Sequence, residues 1–151
     1  MKAYYDKKKY AKFITFAFMT NEIHFEIPQQ APFAMIDKVV HCDREITRCH
    51  YTPLVTNPMV IDGFFSPEGM IEMMAQSAAA RASILSGGEV RIGYIVTVRD
   101  FRCDAVVPAN TQLSTELELV NEVMQFQVFQ VAVFHAENRI AQAEIRIFEN
   151  N

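Results

Sequence analysis

SPEGMIEMMAQSAAARASILSG, residues 66–87, is the stretch on which the fold turns. Ser66 can accept from the first free amides of a helix, Pro67 suits its first position, and Gly87 suits the left-handed turn that closes it. About five turns lie between those signals. Met70, Ile71, Met73, Met74, Ala75, Ala78, Ala79, Ala80, Ala82, Ile84 and Leu85 cover nearly the whole circumference, so the helix needs protein around it on most sides. It is slightly short for a bilayer span and is interrupted by Glu72, Gln76 and Arg81, which favours a core helix over a membrane helix.

Glu72 is the anomaly in that helix. A carboxylate held among methionine and alanine side chains gives up hydration, and such a group is suited to exchanging a proton near neutral pH. Gln76 follows one turn later on the same face. The alternative is that Glu72 stands where the helix leaves the core and is simply solvated. Sequence alone leaves both open.

Outward from the helix the pattern changes to strands. In residues 113–119, Leu113, Thr115, Leu117 and Leu119 alternate with Ser114, Glu116 and Glu118, as expected of a sheet with one wet face. Ala141, Ala143, Ile145 and Ile147 repeat the sign after a hairpin turn expected at Glu137-Asn138. Residues 124–135 form the strand before that turn, and their shift of phase from Phe126 and Val128 to Val131 and Val133 predicts a bulge near Gln130. Residues 90–101 read as a further long strand, and 33–41 with 46–51 as a hairpin around Asp43-Arg44-Glu45. Two strands, one buried helix and four strands predict an α+β domain whose antiparallel sheet of about six strands curls round the helix.

The chain of 151 residues, half of them apolar, can bury a core as one domain. Residues 1–21 read as an N-terminal extension, flexible or arising from an early start codon, with the domain at 22–151. Lys2, Lys7, Lys8, Lys9 and Lys12 precede the apolar run 13–19, but Thr20, Asn21 and Glu22 offer no small-residue cleavage site. Without residues 1–12, nine basic face seventeen acidic residues, which argues against nucleic acid as a partner. Cys42, Cys49 and Cys103 are odd in number and form no CxxC pair, so a reduced, cytoplasmic setting is expected.

These elements, with EMMAQ on the central helix, resemble the hot dog fold of 3-hydroxyacyl-acyl carrier protein dehydratases. The likeness runs from about Ile27 to Phe148. It includes IPQQAPFAMIDKV, the Glu-x-x-Ala-Gln pattern at Glu72–Gln76, and GYIVTVRDFRCDAVVPANTQL. VIDGFFSPEGMIEMMAQSAAA is still more similar to the dehydratase-like proteins of aryl polyene pigment synthesis. The resemblance implies loss of water from a 3-hydroxyacyl thioester to give a 2-enoyl product, with Glu72 handling the proton and Gln76 supporting it. It implies thioester polarisation by backbone amides around Gly63 to Gly69, Pro67 excepted, and an acyl chain contacting Phe64, Phe65, Gly69 and Met73. It also implies an acyl carrier protein or coenzyme A thioester as partner, no cofactor, no membrane, and a homodimer or a heterodimer with another hot dog chain, with residues from both subunits in each site.

One departure bears on catalysis. The family pairs its Glu with a His fourteen residues earlier, where this chain has Pro58, and a second family His falls at Gln29 or Gln30. Glutamine is no base at neutral pH. Asp62, on the approach to the helix, is the candidate substitute, although Asp62-Gly63 also reads as an ordinary turn. His50 could swing toward the pocket; His24 and His135 read as solvated surface. His41-Cys42 and Cys49-His50 are adjacent pairs pointing to opposite faces of a strand, which disfavours a metal centre. Met59, Met70, Met73 and Met74 suit either a tunnel wall or a packed core. Arg81, Arg91, Arg99 and Arg102 are candidates for meeting an acidic carrier protein, or else solvated surface. Two further functions stand beside dehydration: a non-catalytic or acyl-binding subunit that completes a paralogous partner's site, and thioester hydrolysis by Glu72-activated water.

Overall fold

In the computed structural model, which describes residues 22–150, the central helix starts and stops at its capping residues. α1 spans Pro67–Leu85; Ser66 stands before it with extended backbone, and its Oγ accepts from the Gly69 amide at 3.1 Å. At the far end Gly87 adopts φ +82°, and the amides of Gly87 and Gly88 donate to Ile84 and Ser83 at 3.2 and 2.8 Å. The expected extension, residues 1–21, lies outside the described residues.

Among the described residues nine strands accompany the helix: β1 Lys38–Cys42, β2 Ile46–Tyr51, β3 Val60–Ile61, β4 Phe64–Phe65, β5 Ile92–Cys103, β6 Val107–Pro108, β7 Leu113–Val123, β8 Phe126–His135 and β9 Asn138–Asn150. Six form one antiparallel sheet in the order β1-β2-β7-β8-β9-β5, and β3-β4-β6 make a small second sheet at the start of α1. Leu113, Thr115 and Leu117 of β7, Phe129, Val131 and Val133 of β8, and Ala141, Ala143, Ile145 and Ile147 of β9 are buried, while the residues between them are half-buried or exposed. One face of the sheet thus supplies the wall around α1. This is the α+β hot dog architecture.

Two local expectations are corrected. Register through Gln130 is continuous on both sides, and the irregularity lies instead on β7 between Leu119 and Asn121. Opposite it, β8 changes phase between half-buried Val128 and buried Phe129, so the extra residue sits on the partner of the strand whose pattern revealed it. The β8–β9 turn is Ala136-Glu137, one residue earlier than expected, with Ala136 at φ 51°.

Met70, Met73 and Met74 have no exposed surface, so the helix methionines pack as core; Met59 is half-buried beside them. Gly69 permits a close approach. A Cβ there would lie 2.5 Å from Phe65 Cε2 and 2.9 Å from Met59 Cβ. Overpacking costs about 1–3 kcal/mol, which exceeds the roughly 1 kcal/mol gained by replacing a helical glycine with alanine. Gly69→Ala is therefore expected to lower the thermal midpoint by several degrees, as read by circular dichroism.

Cys49 lies in the core beside the Ser77–Thr115 hydroxyl pair, whose oxygens are 2.7 Å apart. Burial raises its thiol from the usual 9.0 to about 11, against smaller opposing effects of Ser77 and Thr115. Because the unfolded thiol ionises first, the stability held below pH 9 is lost as pH rises toward 11. Urea titrations should show a fall of about 2 kcal/mol across that window, and Cys49→Ala should flatten it.

Candidate active site

One face of α1 carries Glu72, Ala75, Ala78, Ala79 and Ala82, spaced by three or four residues, and looks into a cavity of about 190 Å³. Gly93 and Ile95 of β5, Ile147 of β9 and the Pro28-Gln29 segment close its other sides. Alanines keep the helix surface low, so space remains between helix and sheet.

Glu72 is half-buried, and its carboxylate is held. Gln76, with no exposed surface, donates from Nε2 to Glu72 Oε1 at 2.8 Å and to the Phe33 carbonyl at 2.8 Å, while its Oε1 accepts from the Met35 amide at 2.6 Å. A single amide side chain thus orients the carboxylate and fastens the 33–35 backbone to α1. The second Glu72 oxygen makes no hydrogen bond among the described residues. Gln29 lines the same cavity, and its side-chain oxygen is buried and also without a partner among the described residues. An unpartnered buried acceptor calls for a donor, and a substrate hydroxyl is one.

The other candidates are placed as follows. Asp62 and Gly63, at φ 51° and 82°, form the exposed two-residue turn between β3 and β4, the left-handed geometry that Asp-Gly favours. No contact joins Asp62 to Glu72 within the described chain. Phe64 is half exposed and Phe65 is closed against Gly69 and Tyr51. Met73 lies in the sealed core rather than on the cavity wall. The Ser66 and Gly69 amides are committed to the Met59 carbonyl and to Ser66 Oγ. Pro58 is exposed. On β2, Thr47, Cys49 and Tyr51 point inward, which turns Arg48 and His50 to the face away from α1. Asp43 serves the β1–β2 turn: amides of Ile46 and Glu45, then His41, hold its carboxyl down at about 2.

Arg81 departs most from the expected solvated surface, being 4% exposed, whereas Arg99 and Arg102 are exposed and Arg91 half-buried. Gln29 and the alanine face were not singled out by residue chemistry. The signal for Gln29 was its place, with Gln30, where the family has its second histidine; that for the alanines was the spacing of 75, 78, 79 and 82, hidden in a helix that is apolar nearly all round.

Residues 21–151 match the family described as ApeP dehydratase. The chain belongs to the ApeP-like family. Over 117 residues it is 23% identical to an uncharacterized thioester dehydrase of Halalkalibacterium halodurans, covering 74% of this chain and 75% of that one. The dehydratase heterocomplex ApeI:P from Xenorhabdus doucetiae contains a chain that superposes with TM-score 0.73 at 19% identity, over 83% of this chain and 88% of that one. An uncharacterized protein of Pyrococcus horikoshii superposes with TM-score 0.63 at 8% identity, over 84% and 92% of the two chains. This ApeP-like chain is a dehydratase-like hot dog protein.

Its β5 edge has no strand beyond it among the described residues. Ile92, Tyr94, Ile95 and Val96 are exposed along that edge, and Val123, Met124 and Phe126 at the β7–β8 hairpin, with Met124 at 92%. Open edges are ordinarily short or charged; this one is long and apolar. No described helix is long and apolar enough to cross a membrane.

Proposed function

We propose that this protein removes water from a 3-hydroxyacyl thioester, delivered on acyl carrier protein or coenzyme A, with Glu72 as the proton-handling group. The observation that carries this reading is the oriented Glu72 carboxylate, held by Gln76 with one oxygen uncommitted, at the head of an alanine-walled cavity. One carboxylate suffices for the proton balance. Glu72 takes a proton from the α-carbon, leaving the electron pair as the thioester enolate, and the same carboxyl delivers that proton to the 3-hydroxyl as the C3–O bond breaks, the 2,3 double bond forms and water leaves. The Gln29 oxygen accepts from the 3-hydroxyl and aims it. The thioester carbonyl is polarised from the N-terminal end of α1.

The apolar β5 edge supports a dimer in which a second hot dog chain continues the sheet, as a homodimer or a heterodimer. Exposed Asp62, unconnected to its own Glu72, is then available to the partner's site. A cytoplasmic setting accords with Cys42, Cys49 and Cys103 as free thiols.

A specific observation favours one further reading: no histidine lines the Glu72 cavity among the described residues. Such a chain can serve as the acyl-binding half of a pair whose other half carries the histidine. Mass spectrometry of 3-hydroxyacyl-acyl carrier protein incubated with the purified chain distinguishes the cases. A product lighter by one water establishes dehydration, free acid establishes hydrolysis, and turnover only with a hot dog partner present establishes the subunit role.

A further inference from the structure

Beyond the Glu72 cavity, at the C-terminal end of α1, lies a larger pocket of about 470 Å³. Ala82, Arg91, Gln127 and Glu149 line both, so the two spaces adjoin. At the wall of the larger one is Arg81, 4% exposed. Its guanidinium lies 5.4 Å from the centre of the Phe129 ring, and Nη2 donates to the Arg44 carbonyl at 2.8 Å. Nε is buried and makes no hydrogen bond.

A guanidinium has five N–H donors and is charged at any pH of interest, so a buried one is ordinarily paired with an acid. Among the described residues Arg81 has no carboxylate within 4.0 Å. The acids in the pocket have other engagements. Glu149 lies 3.9 Å from Arg91, and Glu122 accepts from Gln127 at 2.9 Å. Arg44 adds a second cation at the exposed rim. Desolvation draws the Arg81 pKa below its ordinary value, against smaller opposing effects of Cys42, Glu122, Glu149 and Asp43.

The geometry points to Arg81 as the recognition site for an oxyanion at the distal end of the acyl chain, so that the substrate class is an acyl thioester tipped by a carboxylate or similar anionic oxygen. This rests on the acyl-thioester reading of the Glu72 cavity. A phosphate of the carrier arm has the same chemistry; the Glu72 cavity itself is walled by Ala75, Ala78, Ala79, Ile95 and Ile147, which suits hydrocarbon, while Arg91, Gln127 and Glu149 stand where the two spaces adjoin. Glu72 and Arg81 stand nine positions or two and a half turns apart, so they lie about 13 Å apart along the helix axis and on opposite sides of it. The axial part alone takes about eleven bonds of extended chain, and rounding the end of the helix takes several more.

Isothermal titration of the full-length protein with two thioester-mimicking pantetheine amides tests this. Both carry a chain of about sixteen carbons, one ending in methyl and one in carboxylate. The expected result is about tenfold or tighter binding of the carboxylate-tipped chain, lost in Arg81→Met, partly kept in Arg81→Lys, with methyl-tipped affinity preserved throughout. Arg44→Gln, at the exposed rim, should reduce the preference by a smaller factor, and decides the matter if Arg81→Met fails to fold. Equal binding of both chains, or a preference that survives Arg81→Met, overturns the inference and leaves acyl binding intact. Binding of neither overturns both. A gain on replacing pantetheine by coenzyme A, dependent on Arg81 and without carboxylate preference, overturns the distal-chain assignment in favour of carrier phosphate.

Discussion

Glu72→Gln is expected to lower the rate of 2-enoyl product formation by about 10²–10⁴-fold while leaving the fold unchanged, the range that a positioned acid–base group contributes. The substitution is selective for a structural reason. Gln76 Nε2 donates to Glu72 Oε1, and a glutamine there keeps a side-chain oxygen as acceptor. The link from α1 to the 33–35 backbone is untouched, because Gln76 makes it through Phe33 and Met35. What disappears is the group that, in the proposed mechanism, removes the α-proton and returns it to the departing hydroxyl. Circular dichroism should superpose on wild type, and mass spectrometry should show unreacted thioester. Undiminished turnover would remove Glu72 from the mechanism and direct attention to residues brought by a partner chain. Asp62→Asn, measured beside it, reports whether the exposed β3–β4 turn takes part.

The second large effect is expected at Gln76. Gln76→Met keeps the length of the side chain but removes its donor and its acceptor. The Met35 amide and the Phe33 carbonyl lose their partner, and each unsatisfied group costs about 1–3 kcal/mol. A loss of about 3 kcal/mol, or roughly 10 °C in thermal midpoint for a chain of this size, should appear in calorimetry. Glu72 loses its orienting donor in the same step, so turnover should fall even at temperatures where the variant is fully folded. A variant as stable as wild type would show that the 33–35 backbone is held by other contacts.

The architecture was legible because it rests on local chemistry. Ser66, Pro67 and Gly87 mark the helix ends through donors and dihedral angles that involve only near neighbours, and both ends lie where those residues place them. The alternation of Leu113, Thr115 and Leu117 against Ser114 and Glu116 has the period of a strand and needs no partner to be recognised. The bulge was misplaced because register is a property of two strands. The phase change is written in β8, but the extra residue is on β7. Among the site residues, the Glu72–Gln76 relation was visible as one helical turn, whereas the hydrogen bonds of Gln76 to the 33–35 backbone join residues more than forty positions apart.

By itself, then, the sequence determined one core helix carrying a lone carboxylate, the order of strands that wrap it, and the resemblance to hot dog dehydratases. Each of these rests on caps, periodicity and motif, which act over a few residues of chain. Tertiary structure alone decided which side chains face the space between helix and sheet. It put Met73 into the sealed core, Gln29 on the Glu72 cavity, Asp62 into an outer turn, and a buried Arg81 on the adjoining pocket. The physical reason is that a helix apolar nearly all round shows no preferred side in its own residues. Which stripe meets a cavity is settled by the curvature of the sheet closing over it.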